Sequence, residues 1–261
     1  GRTGMAALAT AVALVALPVV PIVLADAWIG PQWLHLPQFA FAVLVLLCSF
    51  GPRDLAEEVE DYAGALERHD RDEALRRGKE LLESSPTVYG ASAREAIEEA
   101  IFIQANNRIF GVVFWFIVAG PAGAWAFRVS DMLRRRAAFE AARQGVPRVR
   151  GDLGTTLAGL HGLLAWLPAR LCALGYALAG SFEDAVGNWR LAVDRAATGL
   201  LDRAEDLLAR VGKGSLQPSL AGVPPEQLDV ATARGAWRIV SRSLWIWLAV
   251  IAVLVLAGAV D

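Results

Sequence analysis

Long apolar runs alternate with charged stretches along this chain, and the first two runs predict a pair of membrane-spanning helices. Met5–Leu24 is about twenty residues long, the length at which an α-helix can cross a bilayer. A basic residue before it and the small residues at 25–27 resemble a secretory signal, but a second run, Trp33–Phe50, follows at once. We therefore predict a first span, kinked or ended near Pro18 and Pro21, and a second span directly after it.

The charged stretch 51–107 predicts a set of cytoplasmic helices. It contains many basic residues, whereas the connection 25–32 between the first two runs has no Lys or Arg, and basic loops stay on the cytoplasmic side. Its first helix has one apolar face, because apolar residues recur every three or four positions at Leu55, Val59, Tyr62 and Leu66. Two more helices are predicted at Glu73–Leu82 and Ala91–Ile103, and the second leads directly into the next apolar run.

The third run, Ile109–Val129, poses a conflict of topology. An arginine-rich loop that begins near Arg134 follows it and is expected in the cytoplasm, yet a single crossing would carry that loop outside. In one alternative, this run and Thr156–Ala179 both cross the membrane as a helical hairpin. In the other, the Gly-Pro-Ala-Gly sequence at 120–123 breaks the run into a re-entrant pair of helices, and the later segment lies buried within protein. We favour two crossings, because the charge bias is statistical and a run of this length spans easily.

An amphipathic helix and a final span complete the predicted order. The helix covers Ser181–Val211, and its apolar residues recur every three or four positions at Phe182, Val186, Trp189, Val193, Ala196, Leu200, Ala204, Leu207 and Val211. A linker rich in Pro, Gly and Ser, Gly214–Pro225, leads to a last span near Trp237–Val260, whose start is cytoplasmic because arginines cluster there. The pattern predicts an all-α polytopic membrane protein with four or five transmembrane helices and cytoplasmic amphipathic helices.

This order divides the chain into successive regions. They are an N-terminal transmembrane hairpin (1–50), a cytoplasmic helical region (51–107), a membrane-embedded core with an arginine-rich loop (108–180), a cytoplasmic amphipathic helix with its linker (181–233) and a C-terminal transmembrane helix (234–261). The composition agrees with a chain that is part membrane and part aqueous, since 55% of the 261 residues are hydrophobic, 20% are charged and the mean hydropathy is +0.41.

The sequence contains no recognisable catalytic or metal-binding motif. Patterns typical of phosphate-binding loops, zinc proteases and serine hydrolases are absent. Cys48 and Cys172 lie apart inside apolar segments and are interpreted as small buried hydrophobes, and His161 lies among leucines as a packed, hydrogen-bonded core residue. The formal net charge of −2 gives no basic stripe for nucleic acid. We predict no catalytic residue, no metal site, no cofactor and no nucleic-acid partner.

Polar residues embedded in or flanking two unusual apolar blocks form a candidate ligand site. They are Asn106, Asn107, Arg108, Trp115, Arg128, Asp131, Trp166 and Arg170. One interpretation is structural: snorkelling, helix capping and internal ion pairs, with Arg128 and Asp131 one helical turn apart. The other is a pocket for an anion, because arginine binds carboxylate and phosphate bidentately. In that case four of them should converge near the cytoplasmic membrane surface, roofed by Trp115 and Trp166: Asn107, Arg128, Asp131 and Arg170.

The two unusual apolar blocks contain a set of short motifs. Asn106–Ala124 contains N-x-R-x-F, then F-W-F, then G-P-A-G-A, and Trp166–Arg190 contains W-L-P-A-R-L, A-L-A-G-S-F-E-D-A and N-W-R. These motifs resemble those of the AmpE family of bacterial inner-membrane proteins. The resemblance implies a multi-pass regulatory protein linked with β-lactamase induction and with the cytoplasmic amidase that recycles muramyl peptides. It also implies one more apolar helix at the amino terminus than these residues contain.

The AmpE family is itself related to the membrane amide synthases of cobalamin biosynthesis, called CbiB or CobD. The synthases carry an acidic E-N-x-x-D-G segment, where this sequence has Ile103-Gln104 and Asn107-Arg108. They also carry an Asp-Asp pair, where this sequence has His161-Gly162. These carboxylates would be the expected magnesium ligands, since hard cations bind anionic oxygen. We therefore predict a non-enzymatic regulatory or sensor protein. Its expected partners are the lipid bilayer, an anionic small ligand (phosphate or muramyl peptide), a cytoplasmic amidase and a second copy of the chain. The alternatives are an ATP-dependent CbiB-like amide synthase and a small-solute transporter.

Overall fold

The computed structural model describes residues 2–29, 36–51, 54–83, 92–144, 152–194 and 199–258, and this part of the chain is helical without a strand. The α-helices are α1 (Arg2–Ile29), α2 (Leu36–Phe50), α3 (Leu55–Glu67), α4 (Arg71–Glu83), α5 (Ala93–Ala105), α6 (Gly111–Gln144), α7 (Leu153–Ala179), α8 (Phe182–Asp194), α9 (Leu200–Leu216) and α10 (Leu228–Leu256). A π-helical turn (Asn106–Phe110) joins α5 to α6, and two 3₁₀ turns (Gln217–Leu220 and Pro225–Gln227) precede α10. The predicted all-α class is confirmed.

Five helical stretches in the described ranges are long and apolar enough to cross a membrane, which confirms the predicted four or five. They are Gly4–Ile29, Leu36–Glu67, Ala93–Ala141, Leu153–Ala179 and Pro225–Leu256. The chain forms two compact units. The first comprises residues 1–52, 107–166 and 199–201, and the second comprises 53–106, 167–198 and 202–261.

In the first unit, α1 and α2 both pack against α6, and their outer faces are apolar and exposed. Leu17 is 74% exposed and Leu44 is 59% exposed, as expected of side chains that face lipid. The first span was predicted to be kinked or to end near Pro18 and Pro21; an end there is wrong, because α1 continues through both to Ile29, and a kink stays a prediction. Cys48 is exposed on α2, which corrects its interpretation as buried, whereas Cys172 is buried as predicted.

The helix α6 folds back on itself at two residues with non-helical backbone angles. Ala119 has φ −135° and ψ 19°, and Gly120 has φ 64° and ψ −158°. Glycine adopts this positive φ readily because it has no Cβ atom. Gly123 lies directly against the carbonyl oxygen of Trp115. In a continuous helix two residues eight positions apart would be about 12 Å apart along the axis.

Residues 111–118 and 121–144 therefore form the two arms of a helical hairpin. The helix breaks at the place that the re-entrant alternative predicted, next to residues 120–123. It does not form a straight span over Ile109–Val129. The local sequence permits this reversal. Proline at 121 lacks an N–H group, and glycine at 120 can enter the left-handed region, so the chain can reverse there at low cost.

In the second unit, α3 packs against α4 and α10, and α5 packs against α10. The predicted apolar face of α3 is confirmed, since Leu55, Val59 and Tyr62 are buried. Arg234 of α10 donates hydrogen bonds to the carboxylates of Glu60 and Glu67, which ties the polar edge of α3 to α10. α4 and α5 correspond to the helices predicted at Glu73–Leu82 and Ala91–Ile103, although residue 91 lies outside the described ranges.

The predicted single helix Ser181–Val211 is wrong, because it is divided into α8 and α9, with residues 195–198 outside the described part. In α9 the stripe residues Ala204, Leu207 and Val211 are buried but Leu200 is 37% exposed, and in α8 Phe182 is 54% exposed. The predicted linker also begins later than Gly214, because α9 continues to Leu216. Gly214 packs against the backbone of Asp184, so its small size serves close helix packing and does not end the helix.

Candidate functional site

A buried carboxylate surrounded by arginines lies on the second arm of the α6 hairpin. Asp131 is 0% exposed. Its Oδ1 lies 2.7 Å from an Nη atom of Arg134 and its Oδ2 lies 2.8 Å from an Nη atom of Arg135. Arg128 approaches the same carboxylate at 3.7 Å. Spacings of three and four residues place all four side chains on one helix face.

This arginine cluster, defined as Arg128, Asp131, Arg134 and Arg135, has more positive than negative charge. Three guanidinium groups face one carboxylate, which leaves a surplus of two positive charges. Arg108, from the π-helical turn, lies close enough to Arg128 for the two charges to repel each other. The side chains of Arg128 and Arg135 are 15% and 18% exposed, so both can be reached from the surface.

His161 of α7 closes the buried side of the cluster. Its Nε2 lies 3.7 Å from Oδ1 of Asp131, and its ring packs on Phe127 with centroids 4.9 Å apart. Ser130 Oγ donates to the carbonyl of Phe127 at 2.7 Å and lies 2.9 Å from His161 Nδ1. A hydroxyl has one hydrogen to donate, so Nδ1 is the donor to Ser130 and the neutral ring has Nε2 free of a proton. His161 is a packed, hydrogen-bonded residue, in agreement with its interpretation from the sequence.

The structure brings together only part of the candidate set. The ion pair between Arg128 and Asp131 is present, as the spacing predicted. Arg134, Arg135 and His161 were not among the candidate ligand residues. The spacing of three and four residues from Asp131 could have identified the two arginines, which from the sequence were interpreted only as indicators of membrane topology. The position of His161 beside Asp131 is a tertiary contact that no spacing reveals.

The remaining candidates lie in the π-helical turn, on the first arm of the hairpin and on α7. Asn106, Asn107 and Arg108 are all buried in the π-helical turn, where the extra residue of a π-turn changes the direction of the side chains that follow. The indole N–H of Trp115 donates to the carbonyl of Leu164 at 3.0 Å, so this side chain joins the first hairpin arm to α7. Trp166 is 43% exposed. Asn106 and Arg170 belong to the second unit, whereas Arg128 and Asp131 belong to the first.

The geometry favours binding of an anion over binding of a cation. Asp131 already interacts with three guanidinium groups, so its oxygens are not available to a hard cation. The ion pairs also hold the arginines in fixed positions. A preorganised fork of N–H donors is the arrangement that recognises phosphate or carboxylate.

Comparison with known proteins places the chain in a family. The family described as "Regulatory signalling modulator protein AmpE" matches residues 2–260. A cobalamin biosynthesis protein CobD from Stutzerimonas stutzeri is 32% identical over 149 residues, which are 57% of this chain and 47% of that protein. A cobalamin biosynthesis protein CobD from Chromobacterium violaceum is 28% identical over 267 residues, covering 95% of this chain and 81% of that protein.

The match to the Stutzerimonas stutzeri protein thus spans about half of that relative's length. No solved structure matches the chain. Both CobD relatives agree with the kinship between AmpE and the CbiB/CobD proteins that the motifs suggested. Because the family match covers nearly the whole chain, this protein belongs to the AmpE family.

Proposed function

We propose that this protein is a non-enzymatic regulatory or sensor protein of the bacterial inner membrane that binds an anionic ligand at the arginine cluster. The observation that carries the proposal is the surplus of guanidinium groups around one buried carboxylate. The family's description as a regulatory signalling modulator supports the same class of function.

Charge balance explains why an anion would bind here. Guanidinium groups held away from water are stable only with a partner, and Arg128 and Arg135 share the single carboxylate of Asp131 with Arg134. A phosphate or a carboxylate placed against Arg128 and Arg135 would add a second negative charge beside them. Both arginines retain some exposure, so a ligand could reach them without unfolding of the hairpin. A muramyl peptide, which carries carboxylates, fits this chemistry and would link the protein to cell-wall recycling and β-lactamase induction.

The hairpin would enter and leave the membrane from the cytoplasmic side. Arg128 lies against Gly51, so it sits level with the end of the second predicted span, where the cytoplasmic stretch begins. The second arm then continues to Arg134, Arg135 and Arg136, whose positive charge favours the cytoplasm. A re-entrant hairpin therefore removes the conflict between the apolar run and its basic loop.

The proposal is tested in cells that depend on this chain for β-lactamase induction. Arg135→Gln removes one guanidinium from the cluster, whereas Arg136→Gln removes an exposed neighbour that pairs with Glu140. We expect Arg135→Gln to abolish the rise in β-lactamase activity after a β-lactam challenge, while Arg136→Gln responds like the original chain. Equal amounts of both variants in the membrane fraction are the control. Normal induction by Arg135→Gln would refute the proposal.

A second function is favoured by the similarity to CobD along 95% of the chain. It is ATP-dependent amide synthesis of the CbiB kind in cobalamin biosynthesis. Against it, Asn107 and His161 occupy positions where the synthases carry carboxylates, and Asp131 is engaged by arginines. Incubation of the purified protein with ATP, magnesium, a corrinoid acid and an aminoalkyl phosphate decides between the two. Formation of an amide product would establish the enzyme and displace the regulatory proposal.

A further inference from the structure

A polar cavity lies within the second unit, whereas the arginine cluster belongs to the first. Its volume is about 420 Å³, and it lies where the start of α5, the end of α9 and the turns before α10 meet. This volume is in the range of pockets that hold small molecules. The lining includes Arg94, Glu95, Glu98, Lys213, Gln217 and Leu228.

The charges around this cavity are not all balanced within the protein. Lys213 Nζ lies 2.6 Å from Glu95 Oε1 and forms a tight ion pair with it. Arg94 has only a loose contact, at 3.8 Å, with Asp229. Glu98 is 4% exposed, and the positive charges near it are those of Lys213, which is already paired with Glu95, and of Arg94.

Glu98 is the feature that points to a ligand. A carboxylate removed from water is costly unless a cation or a hydrogen-bond donor compensates it. Lys213 is already paired with Glu95, and Arg94 lies on the same face of α5 as Glu98, one helical turn away. The cavity therefore has one carboxylate that complements an ammonium group and one guanidinium that complements a carboxylate. Leu228 adds an apolar surface between the polar groups and the turns.

We propose that this cavity binds a small zwitterionic molecule of the amino-acid or short-peptide class, with its ammonium group against Glu98 and its carboxylate toward Arg94. The site is independent of the anion site at the arginine cluster. An ammonium group alone would leave Arg94 with its loose contact, and a carboxylate alone would leave Glu98 to share Lys213 with Glu95. A ligand that carries both groups satisfies both side chains at once.

The test uses the full chain in nanodiscs of phosphatidylcholine and isothermal titration with three probes. They are L-alanyl-L-alanine, its N-acetyl derivative, which lacks the ammonium group, and its amide, which lacks the carboxylate. We expect saturable binding of the dipeptide and affinities weaker by about ten- to a hundredfold for each derivative. Absence of saturable dipeptide binding, or equal affinity for all three probes, would overturn the proposal even without a variant.

Two variants assign the probe groups to side chains, and two more serve as controls. Glu98→Gln should lose the preference for the free over the acetylated dipeptide, and Arg94→Gln should lose the preference for the acid over the amide. Glu99→Gln is the matched control, because Glu99 is the adjacent carboxylate and does not line the cavity. Arg135→Gln should leave dipeptide binding unchanged, which separates this site from the arginine cluster. Retention of full discrimination by Glu98→Gln would contradict the assignment.

Discussion

The carbonyl oxygen of Trp115 lies against Gly123, so closely that a Cβ atom on this glycine would collide with it. The contact is between backbone atoms of two helical arms and cannot be relieved by rotation of a side chain. It follows directly from the reversal at Ala119 and Gly120. The hairpin that presents the arginine cluster thus depends on a residue without a side chain at position 123.

Substitution of Gly123 by alanine should destabilise the hairpin. The added methyl group would push the arms apart, and overpacking of this kind costs roughly 1–3 kcal/mol. Gly159→Ala is the matched control, because this glycine of α7 has no atom within 4 Å of the added group. There alanine should stabilise the helix by about 0.5–1 kcal/mol. Thermal unfolding in detergent measures the stability of both variants. An unchanged unfolding midpoint for Gly123→Ala would contradict the close contact.

The hairpin also shows which features of the fold could be predicted from the sequence. The apolar run and the Gly-Pro-Ala-Gly sequence identified a place where the helix could break, and both topologies followed from them. The choice between them could not be made from the pattern. It depends on whether the two arms can pack against each other, and that is decided by tertiary contacts such as Gly123 with Trp115.

The candidate site was predicted in part for a similar reason. A spacing of three residues is enough to predict the ion pair of Arg128 with Asp131, because helical geometry alone brings them together. The arrival of His161 at the same carboxylate requires the packing of α7 on α6, which no local pattern specifies. At Gly214 the local pattern gave a wrong prediction. This glycine was interpreted as the start of a linker, but it lies inside α9 at a close contact with α8.

Removal of the buried negative charge should destabilise the protein strongly. Asp131→Asn would leave three guanidinium groups facing one another without a carboxylate, and breaking such a buried network costs roughly 3–5 kcal/mol. The control is Glu140→Gln, which removes the exposed partner of Arg136 and should cost about 0–1 kcal/mol. The fraction of folded protein recovered from membranes gives the comparison. Equal recovery of the two variants would show that Asp131 does not hold the cluster together.

Arg170 was predicted from the sequence to contribute to ligand recognition. We expect Arg170→Ala to abolish β-lactamase induction while leaving the amount of folded protein in the membrane unchanged. The measurement combines the induction assay with thermal unfolding of the purified variant. A fall in folded protein would instead assign this partly buried arginine a packing role.

The topology of the hairpin predicts which loops share a side of the membrane. Asp72 of α4 and Arg143 near the end of α6 are both exposed, and a re-entrant hairpin places both in the cytoplasm. In a chain with Cys48 and Cys172 replaced by alanine, single cysteines at positions 72 and 143 should react with an impermeant maleimide only in inside-out vesicles. Labelling of the two positions from opposite sides would support the two-crossing alternative and exclude the re-entrant one.

Direct binding of an anion to the arginine cluster is the central claim. The measurement is isothermal titration of the purified full chain in phosphatidylcholine nanodiscs with inorganic phosphate and, separately, with muramyl dipeptide. We predict saturable binding of at least one probe that weakens by about tenfold or more in Arg135→Gln, since each charge-assisted hydrogen bond contributes about that factor. Binding should persist in Arg136→Gln, whose side chain is exposed and paired with Glu140. No saturable binding of either probe, or equal affinity in both variants, would contradict the claim.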